Sequence, residues 1–388
     1  MLNSPVIIVG GGLSGLITAI LLREKGIPVT LIEKKNWPFH RVCGEYISNE
    51  VLPLLQKLGV DPFSHGAVSI HRFKLSSPDG FVSQTPLPLG GFGISRFTLD
   101  HALVRKGEAL GVEFLPGTEV ASVNAIGDGF EVVTRSGEKR VSPVVLGAFG
   151  KRSGLDRVLD RPFFRKRSPY LGIKYHMNWD VADDLVELHT FRGGYCGVSR
   201  VEEGRTNVCY MMERSVFKAA GGMEGAEKKV LGQNPWLREV FENGKRLFDK
   251  PITINEISFA PKSRVTDGII MIGDAAGMIT PLCGNGMAMA IRSGWMAAPW
   301  VEKFIRQKIN RQQMIEGYSK EWNEEFRMRM WLGRRLQSVF GNPSLTNLSV
   351  RFLAKQPDLL QSIVRQTHGK PFGNENKEYA TFPYSAPV

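Results

Sequence analysis

Val6-Ile7-Ile8-Val9-Gly10-Gly11-Gly12-Leu13-Ser14-Gly15 is the stretch from which the fold of this chain can be read. Four apolar, β-branched residues make a short buried strand, and the glycines after them allow a turn too tight for residues that carry a Cβ. An apolar helical pattern runs from Leu16 to about Lys25, and Val29–Ile32 is a second buried strand ending in Glu33. Strand, glycine turn, helix and strand within about 30 residues make one βαβ unit. A Gly-x-Gly-x-x-Gly pattern alone is weak. Here Gly10, Gly12 and Gly15 follow a strand and open a helix, and an acidic residue closes the next strand about 20 residues on, the arrangement of a dinucleotide site. The glycines bring main chain close to a pyrophosphate, with Leu13 and Ser14 beside it, and the N-terminus of the following helix offers free N–H groups to that anion. Glu33, followed by Lys34, can accept hydrogen bonds from ribose hydroxyls.

A second constellation lies far downstream. The buried strand Ile269–Ile272 runs into Gly273-Asp274-Ala275-Ala276-Gly277, then Pro281-Leu282-Cys283-Gly284-Asn285-Gly286, and a helical run from Met287 to Ala298 follows. A carboxylate at a strand end can bind a polyol hydroxyl, and a helix opening near Gly284 can aim its N-terminus at developing negative charge. Taken together, these two ends resemble the large family of FAD enzymes with the p-hydroxybenzoate hydroxylase-like fold. It contains group A aromatic hydroxylases, geranylgeranyl reductases, flavin halogenases and lycopene cyclases, and the likeness extends to about residue 305. The resemblance implies FAD as the bound dinucleotide, with Asp274 on the ribityl chain and Pro281, Gly284, Asn285, Gly286 and Met287 near the ring.

Two further segments carry the same likeness. Arg41-Val42-Cys43-Gly44-Glu45 is similar to the Cys-Gly-Glu segment of the reductase-like branch, which implies a place beside the flavin. Arg96, followed by Leu99-Asp100, stands where relatives set an arginine against the cofactor. Cys43 then either lines the substrate face of the ring or packs as a small side chain beside Gly44. One departure concerns the Asp-Gly pair that hydroxylases carry after the strand ending at Leu146. This chain has Phe149 in the Asp position, which puts a hydroxylase-like handling of nicotinamide in doubt and leaves Lys151 and Arg152 as phosphate contacts.

Between Tyr170 and Phe259, alternating segments such as Leu171–His176, Leu185–Thr190 and Thr206–Met211 read as a mostly antiparallel sheet. Tyr195 and His176 are its candidate pocket residues. Neither a Trp-x-Trp-x-x-Pro nor a Tyr-x-Trp-x-Phe-Pro pattern is present, which counts against halogenation and removes the usual sign of prenyl reduction. Leu99–Leu110 reads as a helix, Gly111–Phe114 as a strand, and Phe130–Val133 and Val141–Leu146 as strands about the turn Ser136-Gly137. From Gln312 onward the pattern is helical, with Trp322, Phe326 and Met330 in a stripe that packs on the body, and a polar, loosely ordered tail after Gly373.

Composition adds boundaries. The 388 residues suffice for two or three packed units, and 42% apolar with 23% charged residues is ordinary for a globular protein. No apolar run spans a membrane, no export signal is visible, and the cytoplasm is the expected location. Cys43, Cys196, Cys209 and Cys283 form no CxxC pair, so no disulfide framework or metal site is expected, and Cys196 and Cys209 read as buried fillers. The net charge of +12 is scattered, with enrichment from Arg306 to Lys355, and no nucleic-acid module accompanies it.

The expected architecture is α/β: a Rossmann-type FAD-binding domain (1–70, 96–165 and 262–311), an inserted, mostly antiparallel substrate domain (71–95 and 166–261), and a helical C-terminal region (312–388). The leading expectation from the resemblance is an NAD(P)H-driven monooxygenase hydroxylating a small apolar or phenolic substrate, with NADPH or NADH as transient electron donor. Next comes a geranylgeranyl-reductase-like enzyme reducing carbon–carbon double bonds, and then a redox-neutral cyclase or flavin carrier. A monomer or weak dimer is expected, with peripheral membrane contact through Arg327, Arg334, Arg335 and Arg351 as a secondary reading.

Overall fold

The computed structural model describes residues 4–166, 168–340 and 342–372; the tail after Gly373 lies outside them. Three sheets organise the chain. The first has six strands in the order Val265–Thr266, Ile269–Met271, Val145–Gly147, Val6–Val9, Val29–Ile32 and Glu113–Leu115, parallel except for the antiparallel edge strand Val265–Thr266. Strands buried on both faces read as continuous apolar runs, which is why Val6–Val9 and Val29–Ile32 were legible at once. Register does the rest. Val9 pairs with Ile32 on one side and Gly147 on the other, and Gly147 pairs with Met271. Gly10, Glu33, Ala148 and the Gly273-Asp274 turn therefore emerge along one carboxyl edge, where an open parallel sheet binds its ligand.

The second sheet, with nine strands, contains Tyr170–Asn178, Leu185–Phe191, Gly194–Arg200 and Thr206–Glu213. It is antiparallel except where Leu185–Phe191 runs parallel to Val68–Ser76. Tyr46–Ser48, Val68–Ser76 and Val82–Gly93 also belong to this sheet, so it begins well before residue 71. The third sheet joins Val120–Ile126, Gly129–Thr134 and Lys139–Ser142.

Three element boundaries differ from expectation. The first helix is Leu13–Glu24, starting inside the glycine motif because Gly12 itself is its N-cap. The helix expected at Leu99 starts at Arg96, where the Ser95 side chain accepts from the Thr98 N–H. The run Val141–Leu146 is two strands in different sheets, interrupted at Pro143, which has no N–H to give to a ladder.

Small residues let the downstream helix Gly286–Ile305 lie directly on the first helix. A Cβ on Gly294 would stand 2.5 Å from the Ser14 carbonyl oxygen, and the Thr18 hydroxyl donates to the Gly294 carbonyl at 3.1 Å. The long helix Arg311–Phe340 turns Trp322, Phe326 and Met330 inward, and the Trp322 ring packs against Gly277. Two further helices, Pro343–Ala354 and Pro357–Thr367, close the molecule.

Candidate active site

Each glycine of the first motif has a separate geometric reason. Gly10 has φ +112°, and a Cβ there would meet the Ala148 carbonyl oxygen at 2.3 Å. A Cβ on Gly15 would lie 2.2 Å from the Gly10 oxygen, so both positions bind helix to sheet. A Cβ on Gly12 would meet nothing nearer than Arg96 Nη2 at 4.0 Å. It faces an open cradle at the N-terminus of a helix whose first turn carries no acidic residue. A helix N-terminus left open in this way suits an anion.

Around the cradle the sequence-predicted side chains converge. Glu33 accepts from the Gly11 N–H at 2.8 Å and the Lys35 N–H at 3.1 Å, and Arg41 stands 3.5 Å from it. Arg96 grips Asp100 with two bonds of 2.7 Å, and Arg41 Nε donates to the same carboxylate at 3.1 Å. These arginines are thus held in place by one buried acid. Asp274 is half-buried, and its partial desolvation raises its pKa. Lys262 donates to the main-chain oxygens of Asp274 and Lys151, each at 2.6 Å, and burial lowers its own pKa to about 8.

Gly10, Gly12, Leu13, Ser14, Glu33, Lys34, Arg41, Cys43, Gly44, Arg96, Tyr195, Asp274, Pro281, Gly284, Gly286 and Met287 all border one cavity of about 920 Å³. Gly15, Gly273, Asn285 and His176 do not. A Cβ on Gly273 would meet Ser14 Oγ at 2.5 Å, so this glycine, with φ +58°, serves packing. Asn285 is fully buried and donates to the Thr367 carbonyl at 2.9 Å, tying its loop to the last helix. Phe149 borders the cavity and folds back over its strand, with its ring 2.7 Å from a Cβ on Gly147. Arg152, proposed above for phosphate, pairs with Glu256 at 2.8 Å and lies 3.8 Å over the Phe164 ring.

Of the two candidate pocket residues on the sheet, Tyr195 lines the cavity and His176 does not. His176 is fully buried and bonds to Glu45 at 2.7 Å; it does not reach the cavity wall. Tyr195 reaches the wall, but its hydroxyl accepts the Leu282 N–H at 2.8 Å, which fixes the loop between Pro281 and Asn285. Cys209, read as a filler, borders the cavity too, whereas Cys196 is buried.

Cys43 stands in an organised setting. The Glu45 N–H bonds to its sulfur, and Asn207 donates to the carbonyls of Cys43 and Gly44 at 3.2 and 2.8 Å. Burial pushes the Cys43 thiol up, against the lowering influence of Arg96, so it stays a neutral S–H. Glu45 itself, missed as a working side chain, has φ +55° and is held by Lys174, by His176 and by the Arg96 N–H at 2.8 Å. Burial alone would raise its pKa; Lys174 and His176 overcome that and hold it at about 2. The available signal was Lys174 within the largely apolar strand Tyr170–Asn178, because a buried ammonium demands a counter-charge.

Part of the cavity wall is aliphatic. Leu75, Val186, Leu188 and Ile254 come from the sheet, and Leu353 and Val364 from the last two helices. Tyr46 and His368 also stand on this wall, 3.4 Å apart. His368 Nδ1 lies 2.7 Å from the Val364 carbonyl and must carry a proton to bond it, so neutral Nε2 is left to accept from the Tyr46 hydroxyl.

The FAD-binding domain family matches residues 3–168. Digeranylgeranylglycerophospholipid reductase 2 of Methanopyrus kandleri is 24% identical over 387 residues, covering 94% of this chain and 93% of that protein. Among solved structures, the flavin-dependent brominase Bmp2 superposes with TM-score 0.78 at 19% identity, covering 94% of this chain and 93% of that one. The halogenase PltM, in complex with phloroglucinol and FAD, gives TM-score 0.73 at 19% identity over 94% and 85% of the two chains. The open cradle at Gly12, the acid at Glu33 and the half-buried acid at Asp274 fit an FAD at this site.

Proposed function

Because the chain is an FAD-dependent oxidoreductase of the group A flavoprotein superfamily, we propose that it reduces carbon–carbon double bonds in a long apolar substrate. The observation that carries this reading is the continuous cavity from the cradle to the aliphatic chamber. The wall of this cavity of about 920 Å³ runs from the cradle residues Gly12 and Glu33 to the aliphatic side chains Leu75, Leu353 and Val364. The full-length similarity to a prenyl-lipid reductase supports the same choice.

FAD bound here would supply hydride chemistry for one alkene carbon, with NADPH or NADH as the electron donor. Gly12, Glu33, Arg41, Arg96, Asp274 and the Gly284–Met287 turn hold the cofactor, and the residues of the chamber orient the chain and exclude water. Cys43, protonated and facing the cavity, gives its proton to the second carbon and regains one from solvent. His176 and Tyr195 position loops. The sequence-level division into an FAD-binding domain, a substrate domain and a helical region serves this arrangement, with the substrate sheet enlarged by Tyr46–Ser48 and Val68–Ser76.

Monooxygenation is the second reading. It is favoured by the apolar character of the chamber wall, which disfavours water beside a reactive site as much as beside a hydride. Anaerobic incubation of the reduced holo-protein with a polyprenyl lipid separates the two. The reduction reading expects a gain of two hydrogens per double bond by mass spectrometry. Recovery of unchanged lipid without oxygen, and an oxygenated product with it, transfers the assignment to monooxygenation.

A further inference from the structure

The helix Pro343–Ala354 is apolar on two opposite faces. Thr346, Val350 and Leu353 are buried against the body, whereas Leu345, Leu348 and Phe352, spaced three and four apart, are 50%, 68% and 55% exposed. Leu359 of the next helix and Met328 and Trp331 of the long helix are exposed as well. Among the described residues, six of thirteen exposed large apolar side chains thus fall between Met328 and Leu359, a concentration that scattered surface residues do not produce. Charge is concentrated there too. From Phe326 to Phe372 the sequence has eight cations and one carboxylate, Asp358. Arg327, Arg334, Arg335, Arg351, Lys355, Arg365 and Lys370 are exposed.

We propose that this face docks on the surface of an anionic lipid bilayer, with the outer stripe of the Pro343–Ala354 helix entering the acyl boundary. Cations beside an apolar stripe match the two layers of such a surface, headgroup charge above and hydrocarbon below. A nucleic acid would satisfy the arginines but offers no apolar phase to Leu345 and Leu348. A second copy of the chain would set the same cations against one another across a two-fold contact. No described helix is long and apolar enough to cross a membrane, so the contact is peripheral. The face is also continuous with the cavity. Phe352 is more than half exposed and at the same time borders the cavity with Ser349 and Leu353. Docking here would bring the chamber to the lipid phase, and this last point rests on the apolar-substrate reading above.

The test is co-sedimentation of the flavin-loaded protein with phosphatidylcholine vesicles, with and without phosphatidylglycerol. Wild type is expected on the anionic vesicles, less so as salt rises. Arg334→Glu with Arg335→Glu should reduce partitioning at least about tenfold, since each charge near such a surface is worth roughly fivefold. Leu345→Glu with Leu348→Glu should do the same, and neither pair should alter flavin absorbance or the unfolding midpoint. Equal binding to neutral and anionic vesicles, or unchanged binding by both double variants, overturns the proposal. So does a dimer that the Leu345→Glu, Leu348→Glu protein loses while its vesicle binding persists. If the wild type shows the expected vesicle pattern yet reduces no alkene even in detergent, docking is supported and the function reading alone fails.

Discussion

The cradle and the chamber meet in one cavity but are built in opposite ways. The cradle is main chain: glycine turns, a helix N-terminus and a few acids placed by the register of a parallel sheet. The chamber is side chain, made of aliphatic residues drawn from a mixed sheet and two terminal helices. Main chain tolerates almost no substitution where it touches a ligand or another strand. An aliphatic wall tolerates many, provided volume is kept. The difference teaches which part fixes the cofactor and which is free to set the substrate.

The sharpest break of that comparison is Gly10→Val. A branched side chain at φ +112°, with its Cβ 2.3 Å from the Ala148 oxygen, should leave little folded protein in soluble expression. Glu45→Ala follows. It strands Lys174 without its buried partner and should cost about 3–5 kcal/mol, read from urea unfolding. Gly12→Val tests the cradle without the fold: the protein should unfold at the wild-type midpoint yet retain flavin at least about tenfold more weakly, a loss of roughly 1.4 kcal/mol or more. Leu188→Trp tests the chamber. It should keep flavin and raise the KM for the apolar substrate about tenfold by filling the wall.

The smallest effect is on pH. His40, which borders the cavity against Phe97 and Phe248, has its pKa lowered to about 4 by burial, with Lys174 and His176 adding to it. The unfolded chain takes up this proton first, so stability should fall as pH drops from about 6.5 toward 4. His40→Gln should flatten that slope. Glu45 acts lower: its contribution is full above the ordinary glutamate range and is lost as pH falls toward about 2.

These regions were unequally legible for a physical reason. Gly10, Gly12, Gly15 and Glu33 are close in sequence, and their spacing reports a local geometry that few other chains would need. Asp274 was found because a second glycine turn follows a second apolar strand. The chamber left no such trace: Val186, Leu353 and Val364 meet only through tertiary packing, and each is an unremarkable aliphatic residue in its own segment. His176 was misplaced because alternation along a strand gives the face of a side chain but not what covers it. Glu45, seen only as part of a resemblance, is defined by partners more than a hundred residues away.

Anaerobic stopped-flow mixing of the dithionite-reduced holo-protein with polyprenyl lipids of increasing length tests the joined cradle and chamber most directly. Return of the oxidised flavin absorbance should accelerate with chain length until the chamber is filled, and Leu188→Trp should shorten the optimal chain. Flavin that stays reduced with every lipid, and reoxidises only once oxygen is admitted, would contradict the account.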